Sequence, residues 1–320
     1  MFTRWGKGQS NGRANSRFVE YAFKSDLLRK QIDDSIGATV GTYTIIKAKN
    51  TKIPLPPLPE QQRIVAILDE CFTAIDKAKA NAEQNLKNAK ELFESYLHGV
   101  FGSSNDVNKR EWEKRKLGDV FEIKPPKKEA KEKLADSDFV TFLPMEDLGI
   151  TSKIIQPTQT RTLNEVSGSY TYFAENDVLL AKITPCFENG KIGIAKNLMN
   201  GIGFGSSEFI VFRNTSVIEP DYLFYFLSRK SFREEGQKLM TGAVGHKRVS
   251  KDWIYNYLIP FPKSLKEQKN IVRQLDALRT ETQRLEMVYN KKIADLEKLK
   301  KSILQRAFAG ELTGKEVRHD

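Results

Sequence analysis

A long helical segment occurs twice in this chain of 320 residues. Residues 60–101 align without a gap onto residues 267–308, at a constant spacing of 207 positions. A proline-rich stretch precedes each copy, at 53–56 and at 259–262. A repeat at this distance predicts two equivalent helices that hold a domain between them, with a recognition surface that is divided into two parts.

Apolar residues in both copies follow a four-three alternation, which is typical of a coiled-coil seam. At about 1.5 Å per residue, each helix would be about 60 Å long. Because each apolar stripe needs a partner, we expect the two helices to pack antiparallel within one chain. The predicted seam residues are Ile64, Leu68, Cys71, Ile75, Ala78, Ala82, Ala89, Leu92 and Tyr96 in the first copy, and Ile271, Leu275, Leu278, Leu285, Tyr289, Leu296, Leu299 and Ile303 in the second.

Two polar residues, Asn85 and Lys292, interrupt the seams at equivalent positions. A polar residue in a seam lowers stability and can fix the register of the helices. Alternatively, the seam drifts slightly and uses Leu86 and Ile293 instead. The sequence leaves both interpretations open.

The sequence between the two helices predicts an α+β domain over residues 110–262. Its short β-rich runs are bounded by turn residues, such as Asp177 and the Asn189-Gly190 pair. We therefore expect a mixed α/β domain joined to long antiparallel coiled-coil helices. The predicted strands are 120–123, 139–143, 178–183, 191–195 and 208–212, and the predicted helices are 221–228 and 231–240.

The first 52 residues repeat only the helical end of that domain, because 18–23 parallel 222–227. The strand-rich part has no counterpart, so about 100 residues are expected to be missing in front of Met1. We also expect residues 1–16 to be loosely packed. The predicted division is a domain remnant at 1–52, a first long helix at 53–101, a complete domain at 110–262, a second long helix at 263–312 and a tail at 313–320.

The net charge of +11 suits a polyanionic partner, because lysine and arginine displace counterions from phosphates. On charge alone, a soluble basic protein without such a partner is an equal alternative. No run of about 18 apolar residues occurs, and the N-terminus lacks the apolar core of a signal peptide, so we expect a cytoplasmic protein with no membrane partner. The two cysteines, Cys71 and Cys186, cannot form a ligand cluster.

Residue patterns that would carry catalysis are scarce. Three histidines, His98, His246 and His319, have no spacing suited to a metal site or a catalytic triad. The run 124–127 has paired prolines but lacks the flanking residues of an amino-methyltransferase motif. The glycines at 201–205 favour a hairpin over a cofactor loop. The sequence therefore predicts a reader of another molecule, without catalytic, metal-binding or cofactor-binding residues of its own.

Two segments carry the side chains of a DNA-contacting surface. The segment 182–191, between two predicted strands, holds two lysines, a hydroxyl group, a carboxamide and a carboxylate. Such groups form hydrogen bonds to base edges and phosphates. The segment 245–248, with the sequence Gly-His-Lys-Arg, is a second basic loop. Each segment taken alone also fits an ordinary solvated hairpin.

Several motifs, in the same order along the chain, resemble the specificity subunit of type I restriction–modification systems. The paired helices, introduced by 54–65, are similar to the central and distal spacers of that family, and 302–312 is similar to its closing signature. The resemblance covers nearly the whole chain, apart from the bulk of a first recognition domain. The motifs that resemble one class of target recognition domain are Trp112, Leu117-Gly118, 142–147, 182–191 and 205–209.

The resemblance implies that each target recognition domain reads one half of a bipartite site in double-stranded DNA, with the helices as a ruler between the halves. It also implies that the helices dock modification subunits, which bring S-adenosylmethionine and methylate adenine. Restriction subunits would add translocation and cleavage with ATP and Mg. None of these cofactors is expected in this chain.

Within this family likeness, one chain is expected to read one half-site, because its first recognition domain is incomplete. A head-to-tail pair of chains or a complementing fragment would restore the bipartite site. Two alternatives stay open: a coiled-coil assembly factor that binds modification subunits without reading DNA and, with less support, a nuclease. DNA contact is assigned to Lys182, Thr184, Asn189, Lys191, Ser206, His246, Lys247 and Arg248, with phosphate contact favoured for Lys182, Lys191, Lys247 and Arg248.

Overall fold

The computed structural model describes residues 2–4, 14–36, 44–102, 112–150, 152–243 and 245–312. The first half contains β1 (Phe2–Arg4), α1 (Ser16–Lys24), α2 (Asp26–Ile36), α3 (Ile45–Asn50), β2 (Lys52–Pro54), α4 (Leu58–Gly102), β3 (Glu113–Lys116), α5 (Leu117–Val120), β4 (Phe121–Ile123), α6 (Lys128–Lys133) and β5 (Phe139–Leu143). The second contains β6 (Gln159–Thr162), α7 (Leu163–Val166), β7 (Thr171–Ala174), β8 (Val178–Ala181), β9 (Ile192–Ile194), β10 (Ile202–Gly205), β11 (Phe209–Asn214), α8 (Pro220–Ser228), α9 (Lys230–Lys238), α10 (Lys251–Asn256), β12 (Leu258–Phe261) and α11 (Leu265–Ala309).

The chain forms two compact units, residues 1–90 with 283–320 (unit 1) and residues 91–282 (unit 2). The expected α+β class with two long helices is confirmed, since α4 and α11 each contain 45 residues. The predicted tail at 313–320 lies outside the described residues, and so does most of the segment 1–16 that was expected to be loosely packed. Residues 37–43 and 103–111 also lie outside them.

Unit 1 packs a short helix against parts of both long helices. Asn15 caps α1, because its side chain accepts hydrogen bonds from the backbone N–H groups of Arg17 and Phe18. Phe18 on α1 contacts Phe308 on α11, with ring centroids 5.1 Å apart. The buried core of this unit includes Phe18, Tyr21, Ala22, Leu28, Ile53, Ile64, Val65, Leu68, Phe72, Ile75, Leu304, Ala307 and Phe308.

Ion pairs within unit 1 show that α4 and α11 run antiparallel there, as predicted. Lys79 pairs with Glu297 at 2.6 Å, and Asp76 pairs with Lys300 at 2.6 Å. Moving forward along one helix therefore means moving backward along the other. Within unit 2, the end of α4 meets the start of α11, where the Tyr96 hydroxyl donates to Gln274 at 3.1 Å.

Unit 2 contains two four-stranded sheets. One has the strand order β6-β5-β10-β7, and the other has the order β4-β11-β8-β9. Neighbouring strands are antiparallel except for β10 and β5, which are parallel. Strand β5 covers the predicted strand 139–143, and β4, β8, β9 and β11 fall on the other four predicted runs with shifts of one or two residues at their ends.

Helix α8 lies at the centre of the largest core. Nearly all of its side chains are buried, as expected for a helix that is apolar on every side. Phe101, near the end of α4, packs edge-on against Tyr222 and Phe226 of α8. The start of α11 adds Val272 and Leu275 to the same core. The ends of the long helices therefore belong to the globular part of unit 2.

Two details of the predicted seams are corrected. Leu92 and Tyr96 are exposed, and Phe93, Leu97 and Phe101 face the core instead. An ideal α-helix drifts by about 20° per heptad relative to a strict seven-residue repeat, so the buried stripe moves round the helix. On α11, Leu299 is likewise exposed.

The burial of the neighbouring residues shows which of the two interpretations of Asn85 and Lys292 is right. Asn85 and Lys292 are exposed, whereas Leu86 and Ile293 are partly buried. The two polar residues therefore do not sit in the seam, and they are solvated surface residues.

Gly203 and Gly205 lie within strand β10, and not in the hairpin that the sequence favours, whereas Gly201 ends the turn before that strand. Strand β10 lies between β5 and β7, and all four of its residues are buried. A Cβ atom at Gly203 would lie 2.1 Å from the ring of Phe173. A Cβ atom at Gly205 would lie 2.5 Å from the carbonyl oxygen of Leu143, so the close packing of the sheet requires glycine at both strand positions.

The N-terminal residues differ from the expectation of a purely helical remnant. Strand β1 pairs antiparallel with β2, with Thr3 opposite Ile53, just as β3 pairs with β12 in unit 2. Only 11 residues join β1 to α1, whereas 103 residues join β3 to α8. Unit 1 therefore lacks most of the residues that lie between β3 and α8 in unit 2.

Candidate nucleic-acid interface

The two predicted DNA-contacting segments lie side by side in unit 2. The segment 182–191 connects β8 to β9, and 245–249 leads into α10. The backbone N–H of Thr184 donates to the carbonyl of Lys247, and the N–H of Val249 donates to the carbonyl of Lys182, each at 2.9 Å. Two segments about 60 residues apart in sequence thus form one backbone-paired surface.

A third segment, 205–208, joins them. The Lys182 N–H donates to the carbonyl of Glu208 at 3.0 Å, and the Lys182 ammonium donates to the carbonyl of Ser207 at 2.7 Å. The Arg248 guanidinium forms two hydrogen bonds with the Glu208 carboxylate, at 2.9 and 2.7 Å. We call residues 182–191, 205–208 and 245–249 the three-segment surface.

Apolar packing and a glycine with a positive φ fix the backbone of the segment 182–191. Phe187 is fully buried and packs edge-on against Phe232, with ring centroids 5.9 Å apart. Gly190 has a φ of 74°, in the left-handed region that favours glycine. The turn therefore has a defined backbone, and Asn189 is exposed at its tip.

The assigned residues differ in how free their polar groups are. Asn189, His246 and Lys247 are exposed. The ammonium group of Lys191 donates to the carbonyls of Met145 and Glu146, so it ties the surface to the turn after β5. Of the four cations to which phosphate contact was assigned, only Lys247 and Arg248 are exposed, and Arg248 is paired with Glu208.

Two assigned hydroxyl groups take part in local bonds. Thr184 donates to the Glu188 carboxylate at 2.8 Å, and Ser206 accepts from the N–H of Glu208 at 3.2 Å. The second carboxylate oxygen of Glu188 is buried and has no hydrogen-bond partner among the described residues. Both hydroxyls thus help to shape the surface.

Charge coupling on this surface centres on Glu208. Its hydrogen bond with Arg248, assisted by the charge of Lys182, lowers the pKa of the Glu208 carboxyl group. Partial burial lowers the pKa of the Lys182 ammonium, against the opposing effect of Glu208. Glu208 lies within the motif 205–209, and its sequence context alone predicts no role for it. The structure shows that it holds two of the assigned cations in place.

Among the described residues, no group of three or more His, Cys, Asp or Glu side chains could hold a metal ion. No helix in this part of the chain is long and apolar enough to cross a membrane.

The chain matches the family described as "Type I restriction modification DNA specificity domain" over residues 10–87 and 109–295. The EcoEI specificity subunit of Escherichia coli is 35% identical over 162 residues, which cover 50% of this chain and 26% of that protein. The EcoKI specificity subunit of Escherichia coli K12 is 26% identical over 319 residues, which cover 93% of this chain and 66% of that protein.

Two solved structures have the same fold as this chain. One, from a study of complex assembly and conformational transition of the type I R-M system, is 23% identical with a TM-score of 0.72 and covers 94% of this chain and 73% of that one. The HsdS subunit from Thermoanaerobacter tengcongensis is 24% identical with a TM-score of 0.56 and covers 94% and 72%. The chain spans about a quarter of the EcoEI subunit and about two thirds of the EcoKI subunit.

Proposed function

Because this chain belongs to the type I restriction–modification DNA specificity family, we propose that it is a specificity subunit that reads a DNA sequence through unit 2. The observation that carries the proposal is the three-segment surface. It presents an exposed carboxamide at Asn189 next to exposed basic side chains at His246 and Lys247. Carboxamides read adenine edges in the major groove, and lysines neutralise phosphates.

One chain reads one half-site in this proposal. Unit 2 holds all eight assigned residues, on the segments that connect β3 to α8 and α9 to α10. Unit 1 replaces the 103 residues between β3 and α8 with 11, so it has no counterpart of most of this surface. A second chain or a complementing fragment would supply the other half-site.

The long helices serve as a spacer and as the docking site for modification subunits. Those subunits bring S-adenosylmethionine, and restriction subunits bring ATP- and Mg-dependent chemistry. The chain itself contributes DNA recognition and no catalysis. Specificity and methylation are thus divided between subunits.

The test is selection of bound duplexes from a random DNA pool, with the full chain and its modification subunits. We expect enrichment of one defined half-site per chain, and a footprint over that sequence. Asn189→Ala should reduce the preference for the selected sequence by about 1–3 kcal/mol if its carboxamide contacts a base edge.

A matched control is Asn256→Ala. This residue is exposed in the same unit and lies outside the three-segment surface. Protection of two separate specific tracts by one chain would contradict the single half-site. Binding of modification subunits without any sequence enrichment would favour the assembly factor instead.

A further inference from the structure

A groove with a volume of about 450 Å³ opens in unit 2 beside the three-segment surface. It shares Lys182 and Ser207 with that surface, and extends to residues that the sequence interpretation did not assign to DNA contact. Four lysines line the groove, together with one carboxylate, that of Asp252. The lysines are Lys124, Lys127, Lys182 and Lys251.

Two of these lysines are held and two are exposed. Lys127 donates to the carbonyls of Ser167 and Gly168, and Lys182 donates to that of Ser207. Lys124 and Lys251 are exposed, and neither forms an ion pair with any residue that the structure describes. The lining of the groove therefore combines two lysines that are free of ion pairs with two whose ammonium groups are fixed by hydrogen bonds.

The charges of the exposed lysines act on the two held lysines. Partial burial lowers the pKa of Lys127, and the charges of Lys124 and Lys131 lower it further. Partial burial also lowers the pKa of Lys182, and the charges of Lys251 and Arg248 lower it further. Like charges gathered around a concave surface raise its positive potential and attract an anion.

The remaining lining indicates which anion fits. Ser169, Thr171 and Tyr255 add hydroxyl groups, and Phe209 and Ile254 are among the apolar residues of the lining. The lining contains no Asn, Gln or Arg, which are the side chains that most often read base edges. Lysines with hydroxyl donors are instead the usual partners of phosphate oxygens.

We propose that this groove binds the phosphodiester backbone of the DNA duplex next to the half-site. Lys124 and Lys251 contact the phosphates, and Lys127 and Lys182 add fixed positive charge to the same groove. The groove raises affinity equally for every sequence, whereas the three-segment surface provides the sequence preference. This inference rests on the proposed function, since the same duplex must reach both surfaces.

The test compares the full chain with its K124A/K251A double variant on two duplexes, one with the selected sequence and one with a scrambled sequence. Both lysines are exposed, so their removal leaves the core intact. The negative slope of log affinity against log salt concentration should become shallower by about 0.9 for each lost phosphate contact. The ratio of the affinities for the two duplexes should stay the same. The K124R/K251R variant keeps the charges and should restore most of the slope.

Lys266→Ala is the matched control, because Lys266 is an exposed lysine of unit 2 that does not line the groove. It should leave the salt slope unchanged. An unchanged slope in the double variant, while the wild-type chain still prefers its selected sequence, would overturn the groove and spare the proposed function. A changed ratio between the duplexes would also overturn it, because the groove would then read bases.

Failure of the proposed function gives a different result. The wild-type chain would then bind both duplexes equally. A flatter salt slope in the double variant would still support the groove as a phosphate site under those conditions.

Discussion

Units 1 and 2 each hold a short helix against the long helices in the same way; this helix is α1 in unit 1 and α8 in unit 2. We call the residues that hold it the seat of that helix. Gln61 is fully buried and accepts from the N–H of Asn15, at the start of α1. Its counterpart Gln268 is also fully buried and accepts from the N–H of Glu219, at the start of α8. The repeated sequence therefore encodes a repeated seat, in which one buried carboxamide fixes each helix.

A tyrosine on each short helix forms the second part of the seat. Tyr21 donates to Asp69, and Tyr225 donates to Asp276, both at 2.5 Å. The two aspartates occupy equivalent positions, 207 residues apart. The polar contacts of the two seats thus match in both donor and acceptor.

The units differ in the cation that neutralises this aspartate. In unit 2, Lys153 reaches from the recognition domain to Asp276 at 2.6 Å and to Asp221 at 2.7 Å. In unit 1, Arg17 occupies the position of Asp221 and pairs with Asp69 at 2.9 Å. In unit 1 the cation therefore comes from the short helix α1 itself, whereas in unit 2 it comes from a residue between β5 and β6.

A second charge is also reversed between the seats. Asp26 begins α2 in unit 1 and pairs with Lys301 of α11 at 3.3 Å. The equivalent positions in unit 2 hold Lys230 and Glu94, and the Lys230 N–H donates to the Glu94 carboxylate at 3.3 Å. The charges at these equivalent positions are opposite in the two units. Moving the short helical segment of one unit onto the long helices of the other would therefore bring like charges together.

The largest expected effect comes from the apolar part of the two seats. Leu68 and Leu275 are equivalent and fully buried, so substitution by Ala should cost about 2–5 kcal/mol of unfolding free energy in the unit that holds each one. Hydrogen exchange resolved by segment would measure this separately for the two units. Leu299→Ala is the control, because the side chain is 48% exposed and should change stability by less than about 0.5 kcal/mol. Equal loss of protection in both units after either change would contradict independent seats.

The neutralising cation should matter more in unit 2 than in unit 1. Lys153 is 18% exposed, and Lys153→Met removes the cation that bridges Asp221 and Asp276. Asp221 then keeps only the weaker pair with Lys196 at 3.8 Å, so a loss of about 1–3 kcal/mol is expected. Arg17 is 58% exposed, so Arg17→Met should cost less. Chemical denaturation of both variants measures the difference. Asp276→Asn should recover part of the loss in the Lys153→Met background, and no recovery would argue against the charge explanation.

Alkaline pH should weaken unit 2 more than unit 1. Burial raises the pKa of Tyr21 in unit 1, and in unit 2 it raises the pKa of Tyr222 and Tyr225, and that of Tyr257 to about 12. A raised pKa in the folded state means that stability is fully present below the unfolded value of about 10 and is lost as pH rises through the folded value. Hydrogen exchange corrected for pH, or limited proteolysis across this range, would compare the units. Tyr225→Phe should reduce the pH dependence of unit 2, and an unaltered dependence would exclude this tyrosine as its source.

Exchanging the reversed charge should have the smallest effect. Asp26→Lys faces Lys301 with a like charge, and Lys301→Glu does the same for Asp26. Each single change should cost less than about 1 kcal/mol because both side chains are largely exposed. The double variant should regain the loss in a double-mutant cycle, less so at high salt. Additive losses would show that the pair contributes nothing to the seat.

Prediction from the sequence was most successful where a local pattern decides the structure. The seven-residue repeat located both long helices, and the apolar run at 139–143 gave β5 at its observed bounds. It was least successful where a distant partner decides. Gly203 lies in a central strand at a position where the ring of Phe173 leaves no room for a Cβ atom. No residue near position 203 in the sequence indicates this contact.

The candidate site shows the same limit. Basic residues in 182–191 and 245–248 marked both segments, but their backbone pairing and the role of Glu208 depend on the sheet that brings them together. The groove was missed because Lys124 and Lys251 are 127 positions apart and belong to no single motif.

The sequence by itself determined the repeat, the long helices, the α+β class and the likeness to a family, because each depends on residue spacing that survives without knowledge of the fold. Only the tertiary structure decided which stripe of each helix is buried, where the two units differ, and which lysines are free. Those properties depend on contacts between residues far apart in the chain, such as Lys153 with Asp276. A side chain becomes available for DNA only when no such contact already occupies it.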